Sequence, residues 1–77
     1  MRSAIEYEYR RLVGKRVRGE RVWQDLSQDE VAHQAGVTRN FVSAIERGVQ
    51  GLDAFRLAEA LGLTFEDLMA TDDRRPH

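Results

Sequence analysis

Cysteine is absent, proline occurs once, and aromatic residues make up only 8% of the 77-residue chain. Without thiols there is no disulfide framework and no thiolate metal site, and nothing favours one redox compartment over another. Long apolar runs are also missing, so no segment reads as a membrane span. The stretch from Met1 to Arg21 is too charged for a secretory signal. A cytoplasmic location with no membrane partner is expected. Charge of one sign is lacking too: 12 Lys and Arg stand against 13 Asp and Glu, a net charge of −1.

Affinity for nucleic acid is dominated by neutralising phosphates, so near-neutrality argues against a uniformly basic binder. The distribution says more than the sum. Residues 1–21 carry seven basic and three acidic residues, a balance of +4, whereas residues 52–77 carry three and six, a balance of −3. The 42% hydrophobic and 32% charged content suits a compact helical domain, expected over residues 1–70, with a disordered polar tail at 71–77 that holds the lone proline. A chain this small buries only about 60% of the surface it exposes unfolded, so self-association as a homodimer would add to a modest core.

Apolar residues at Ile5, Tyr9, Leu12, Val13 and Val17 recur at three-to-four spacing and predict an amphipathic first helix from Ser3 to about Trp23. Gly14 and Gly19 weaken it by about 1 kcal/mol each relative to Ala. Asp25 falls where a helix end often has Gly or Asn. Val22 and Trp23 are not clearly buried by the pattern and read as core filler or a subunit contact, with core the expectation for both. A fourth helix is expected from Leu52 to Leu61 with Phe55, Leu57, Ala58 and Leu61 apolar. A fifth runs from Thr64, paired with Asp67, to near Ala70. Its large apolar residues Phe65, Leu68 and Met69 have little core to bury into and form the expected subunit interface.

The centre of the chain is Ser27 to Gly48, SQDEVAHQAGVTRNFVSAIERG. Ser27 and Glu30 make a capping box that starts the second helix at Gln28. Gly36 ends it, Thr38 can cap the third helix, and Gly48 can stop that one after Arg47. Two helices of about two turns joined by a tight turn match a helix-turn-helix. With Val42 and Ile45 facing inward, Arg39, Asn40, Ser43 and Arg47 form one outward stripe. Arg39 is the best reader of a base, because a guanidinium can donate two parallel hydrogen bonds to guanine. Asn40 suits adenine or a phosphate, Ser43 lets the helix approach closely, and Arg47 suits the backbone, as do Lys15, Arg16 and Arg18.

VGKRVRGER, LSQDEVAHQAGVTRNFVSAIERG and LAEALGLTFEDL together resemble the phage-repressor (Cro-like, XRE) helix-turn-helix family over about Leu12 to Met69. The short length also resembles the controller proteins of restriction-modification systems and small phage repressors. The resemblance implies an all-α, five-helix, lambda-repressor-like domain with the second and third helices as the DNA-binding unit. It places base-reading positions on Thr38, Arg39, Asn40 and Ser43, and gives Gln28 a contact either to phosphate or to a recognition-helix side chain. It implies a salt bridge between Arg21 and Glu46, and phosphate contacts from the linker Val49 to Gly51, which includes Gln50. Three departures stand out: Glu20 where the family usually has an apolar residue, Asp25 where it usually has Gly, and a linker about three residues short.

Other chemistry finds little here. Glu30 and His33 share the E-x-x-H spacing of di-metal bundles, which need a second such pair and more carboxylates. Ser27, Asp29 and His33 do not make a nucleophilic triad, because Ser27 is needed as a cap and Asp29 suits the helix dipole. The expectation is a sequence-specific regulator that binds double-stranded DNA as a homodimer on a palindromic site. No catalysis, metal, cofactor or small-molecule ligand is expected, and RNA polymerase is a further candidate partner. The competing reading is a protein-interaction module of the same fold, such as an antitoxin or a transcription-machinery adaptor.

Overall fold

The computed structural model describes residues 4–51 and 53–69, apart from the side chains of Phe65 and Met69. Among them are five helices, α1 (Ala4–Trp23), α2 (Gln28–Ala35), α3 (Arg39–Glu46), α4 (Phe55–Leu61) and α5 (Phe65–Met69), and no strand. This is the all-α, five-helix arrangement that the periodicity predicts. The expected helix ends at Ser3 and Ala70 and the polar tail 71–77 lie outside the described residues.

Val13 and Val17 of α1, Val31 and Ala32 of α2, Val42 and Ile45 of α3, Leu57, Ala58 and Leu61 of α4, and Leu68 of α5 meet with Ala54 in a single core. Six of these side chains are fully buried, Ile45 and Leu57 the largest, and burial of such a side chain contributes about 1.5–3 kcal/mol. The long α1 lies against α3, α4 and α5, while α2 packs between α3 and α4.

The helix ends follow local chemistry. The Ser27 N–H donates to Glu30 Oε1 at 2.7 Å and the Glu30 N–H to Ser27 Oγ at 3.0 Å, the capping box that starts α2. The donated Ser27 N–H holds the Glu30 carboxyl below the usual glutamate range, and the Ser27 hydroxyl adds to this. Thr64 and Asp67 make the same reciprocal pair before α5, at 2.9 and 3.1 Å. Asp25 ends α1 in the left-handed region with φ 59°, taking the conformation that a Gly there would supply.

Four expectations change. Asp53 has φ 64°, which a helix cannot continue, so α4 starts at Phe55 rather than Leu52 and its N-cap, Ala54, supplies no side-chain bond. Val22 and Trp23 are 56% and 55% exposed rather than in the core; at about 100° per residue Trp23 points roughly 120° away from Val17. Ile5 lies in the same direction and is 83% exposed. Leu68, expected at a subunit interface, is 3% exposed inside the core of its own chain. With α5 lying against both α1 and α4, its one described apolar side chain is covered.

Gly14 also has a role that helix propensity hides. A Cβ at Gly14 would collide with the carbonyl oxygen of Ile45 and come within 2.8 Å of that of Glu46, so its bare Cα lets α1 touch the end of α3. Gly14→Ala gains about 1 kcal/mol of helix propensity but must push the helices apart, at about 1–3 kcal/mol. The net expectation is a lower urea midpoint; an unchanged or higher one would contradict this packing. Glu30→Ala should cost stability near pH 7. Because the folded-state carboxyl titrates low, that cost is fully present above the usual glutamate range and fades as pH falls through the folded value. Urea unfolding of both proteins between pH 7 and pH 3 checks the sign.

Candidate nucleic-acid interface

Gly36, with φ 71°, turns the chain out of α2. The N–H of Val37 then returns to Ala32 O at 2.9 Å, and the Phe41 N–H donates to Thr38 Oγ1 at 3.1 Å to start α3. The turn is therefore closed at both ends by its own residues. Thr38, Arg39 and Asn40 project from the first turn of α3 and are exposed, as is Arg47 at its end; Ser43 is half-buried between them. The Arg47 Nε donates to Ser43 Oγ at 3.2 Å, which joins the stripe along one side of the helix. Arg39 Nε lies 3.9 Å from Asp29 Oδ1, with both side chains more than half exposed. Such a pair contributes little and is readily exchanged for another anion.

The other end of α3 is held from beneath. Glu46, whose side chain is only 4% exposed, accepts from Arg21 Nε at 2.6 Å and Arg21 Nη2 at 3.1 Å. Arg21 Nη1 donates to Leu26 O at 2.8 Å, so one guanidinium ties α1, the loop before α2 and α3 together. The hydrogen bond to Glu46 raises the Arg21 pKa above its already high ordinary value, against the opposing effect of burial. Gln28 Nε2 donates to Glu46 Oε1 at 3.2 Å. Of the two contacts implied for Gln28, the structure places its amide on the recognition-helix side chain.

The basic residues of α1 separate. Lys15 and Arg18 are exposed, while Arg16 is half-buried and lies roughly 160° around the helix from Arg18. The two therefore lie on different flanks of α1. Gln50 is half-buried in the linker. His33 is exposed and Glu30 is engaged with Ser27. Among the described residues no three His, Cys, Asp or Glu side chains come together as a metal site.

Two anchoring contacts escaped sequence reasoning. Gln24 Nε2 donates to Leu61 O at 2.7 Å, tying the end of α1 to the last turn of α4, and Arg10 Nε donates to Gly48 O at 3.1 Å just past α3. Both partners lie more than 35 residues away and are main-chain carbonyls, so no local pattern signals either.

Breaking the Arg21–Glu46 pair from one side leaves a buried charge without its main partner, which should cost about 3 kcal/mol. Arg21→Met should therefore destabilise strongly. The double variant Arg21→Met with Glu46→Gln should recover part of the loss, so a strictly additive double-mutant cycle in urea would contradict the bracing role.

Residues 17–68, which include Arg21, both helices of the motif and Glu46, match the family described as Helix-turn-helix. An uncharacterized HTH-type transcriptional regulator of Sinorhizobium fredii (strain NBRC 101917 / NGR234), y4dJ, is 31% identical over 72 residues, covering 90% of this chain and 94% of its own length. With α2 and α3 capped, joined and braced as described, the chain belongs to the XRE-type helix-turn-helix family.

Proposed function

We propose that this chain is a sequence-specific regulator of transcription that binds double-stranded DNA as a homodimer on a palindromic operator. The observation that carries the reading is the first turn of α3: Arg39 and Asn40 stand exposed at the tip of a helix whose far end is locked by Glu46. A helix fixed at one end and polar at the other can enter the major groove without reorganising, so base contacts are not offset by ordering. The relative in Sinorhizobium fredii, described as an HTH-type transcriptional regulator, supports the same reading.

In this arrangement Arg39 donates to guanine, Asn40 reads adenine or holds a phosphate, and Thr38 and Ser43 complete the surface at the bases. Arg47, Lys15, Arg18 and the linker around Gln50 meet the sugar-phosphate backbone. Arg16, on the other flank of α1, is the least favoured of the three α1 cations for a contact to the same duplex surface. The acidic last third of the chain, residues 52–77, faces away from DNA. Two copies about 34 Å apart read half-sites one helical turn apart. With Leu68 in the core, the subunit contact proposed for the fifth helix falls to Phe65 and Met69. A surface open to RNA polymerase would allow activation as well as repression, depending on where the operator lies.

A mobility-shift selection from randomised duplexes, run at two salt concentrations, should enrich a two-fold symmetric site whose affinity falls with salt. The absence of both enrichment and salt dependence would favour the protein-interaction reading. Arg39→Ala should relax preference at one base pair per half-site, at a cost of about 1–3 kcal/mol. A uniform loss over all sequences would restrict Arg39 to the backbone. Sedimentation that shows a monomer both free and on DNA would remove the homodimer.

A further inference from the structure

The first three turns of α1 precede the residues that match the family, which begin at 17. They nevertheless reach the linker that follows the recognition helix. Arg10, with only 11% of its side chain exposed, donates from Nε to Gly48 O at 3.1 Å and from Nη1 to Glu6 Oε1 at 3.0 Å. Its stem and the ring of Tyr9 lie so close to Gly51 that a Cβ there would sit 3.0 Å from each. Gly48 itself passes the Arg11 backbone, where a Cβ would sit 3.5 Å from the Arg11 Cα. Both ends of the four-residue linker 48–51 are thus gripped by one side of α1.

We infer that Arg10 is a positioning residue: with Tyr9 it clamps the shortened linker between α3 and α4, fixing the main chain at Gln50 and Gly51, beyond the amides already bonded to α3, for contact with DNA phosphate. The inference rests on the DNA-binding reading above. The first two linker amides close back on α3, Gly48 N–H to Ile45 O at 3.1 Å and Val49 N–H to Ala44 O at 3.0 Å, so the stretch that depends on outside support is Gln50 and Gly51. The clamp supplies that support through one carbonyl acceptor and one bare Cα. It assigns a task to the N-terminal part of α1 that the DNA-binding unit itself does not supply. It also explains why the buried guanidinium of Arg10 is paired with Glu6: the carboxylate directs Nη1 away from Gly48 and leaves Nε aimed at it.

The experiment uses the full chain with the duplex selected above and three variants. Arg10→Met keeps an apolar stem but loses the donors. Arg10→Lys keeps the charge, yet its single ammonium cannot serve Gly48 and Glu6 in the Arg10 geometry. Gly51→Ala changes no charge and forces the linker away from Tyr9 and Arg10. Affinity, its salt dependence, and hydrogen exchange at the amides of residues 49–51 are measured together. All three variants should lose about tenfold in affinity with base preference unchanged and the salt slope kept, and linker amides should exchange faster in the free protein. Rescue by Arg10→Lys, with a slope that falls by about 0.9 only in Arg10→Met, would make Arg10 a direct phosphate contact and overturn the proposal. Unchanged affinity in Gly51→Ala and Arg10→Met, with wild type binding normally, would overturn it as well. If wild type binds no duplex specifically, the DNA reading fails first, and the clamp's role in positioning phosphate contacts falls with it.

Discussion

Glu46 is a carboxylate almost removed from water, and such a group is tolerated only if its oxygens are well supplied with donors. Arg21 gives two and Gln28 a third, one from α1 and one from the start of α2. The last residue of the recognition helix is therefore a meeting point of three helices, and its orientation cannot change without exposing or stranding a charge. Gly14 makes this junction possible, because α1 must come close enough for Arg21 to span the gap. The apolar core beneath, with Val17, Val42 and Ile45 at 0% exposure, sets the distance, while the ion pair sets the rotation.

Charge is arranged around this junction rather than spread over the surface. The excess of basic residues in the first 21 positions lies on α1, partly consumed by pairs such as Arg10 with Glu6 and Arg11 with Glu8. The exposed cations Lys15 and Arg18 of α1 and Arg47 at the end of α3 are a modest electrostatic footprint. A near-neutral chain of this kind gains less from long-range attraction to DNA than a strongly basic one. It depends correspondingly more on the fit of a rigid helix.

The parts of the fold that were legible in the sequence are those set by neighbours in the chain. Ser27 with Glu30, Thr38 with the Phe41 amide, Thr64 with Asp67, and the turn at Gly36 all lie within a few residues of what they act upon, and α2 begins and ends where its caps put it. Asp25 takes the left-handed conformation that its place at the helix end implies. Illegible parts depend on elements distant in sequence. Gly14 reads as a weakness of α1 until α3 is laid against it, and Trp23 reads as core until the orientation of α1 is set by Val13 and Val17. Arg10 and Gln24 look like surface residues because their acceptors are main-chain carbonyls of other helices. The outward stripe on α3 and the division of the α1 cations between two flanks were legible as faces, since helical spacing determines both, whereas which flank lies nearer α3 needed the packing.

The bonds that hold α3 run through Glu46, Val42, Ile45 and the Thr38 cap. The exposed side chains of Arg39 and Asn40 carry none of them. Changes at those two positions, and at Arg47 with its single bond to Ser43, leave the scaffold's contacts in place. Fold and reading surface are thus separable under mutation. If α3 reads DNA as proposed, a lineage built on this frame can drift from one target sequence to another through single substitutions, each intermediate still folded.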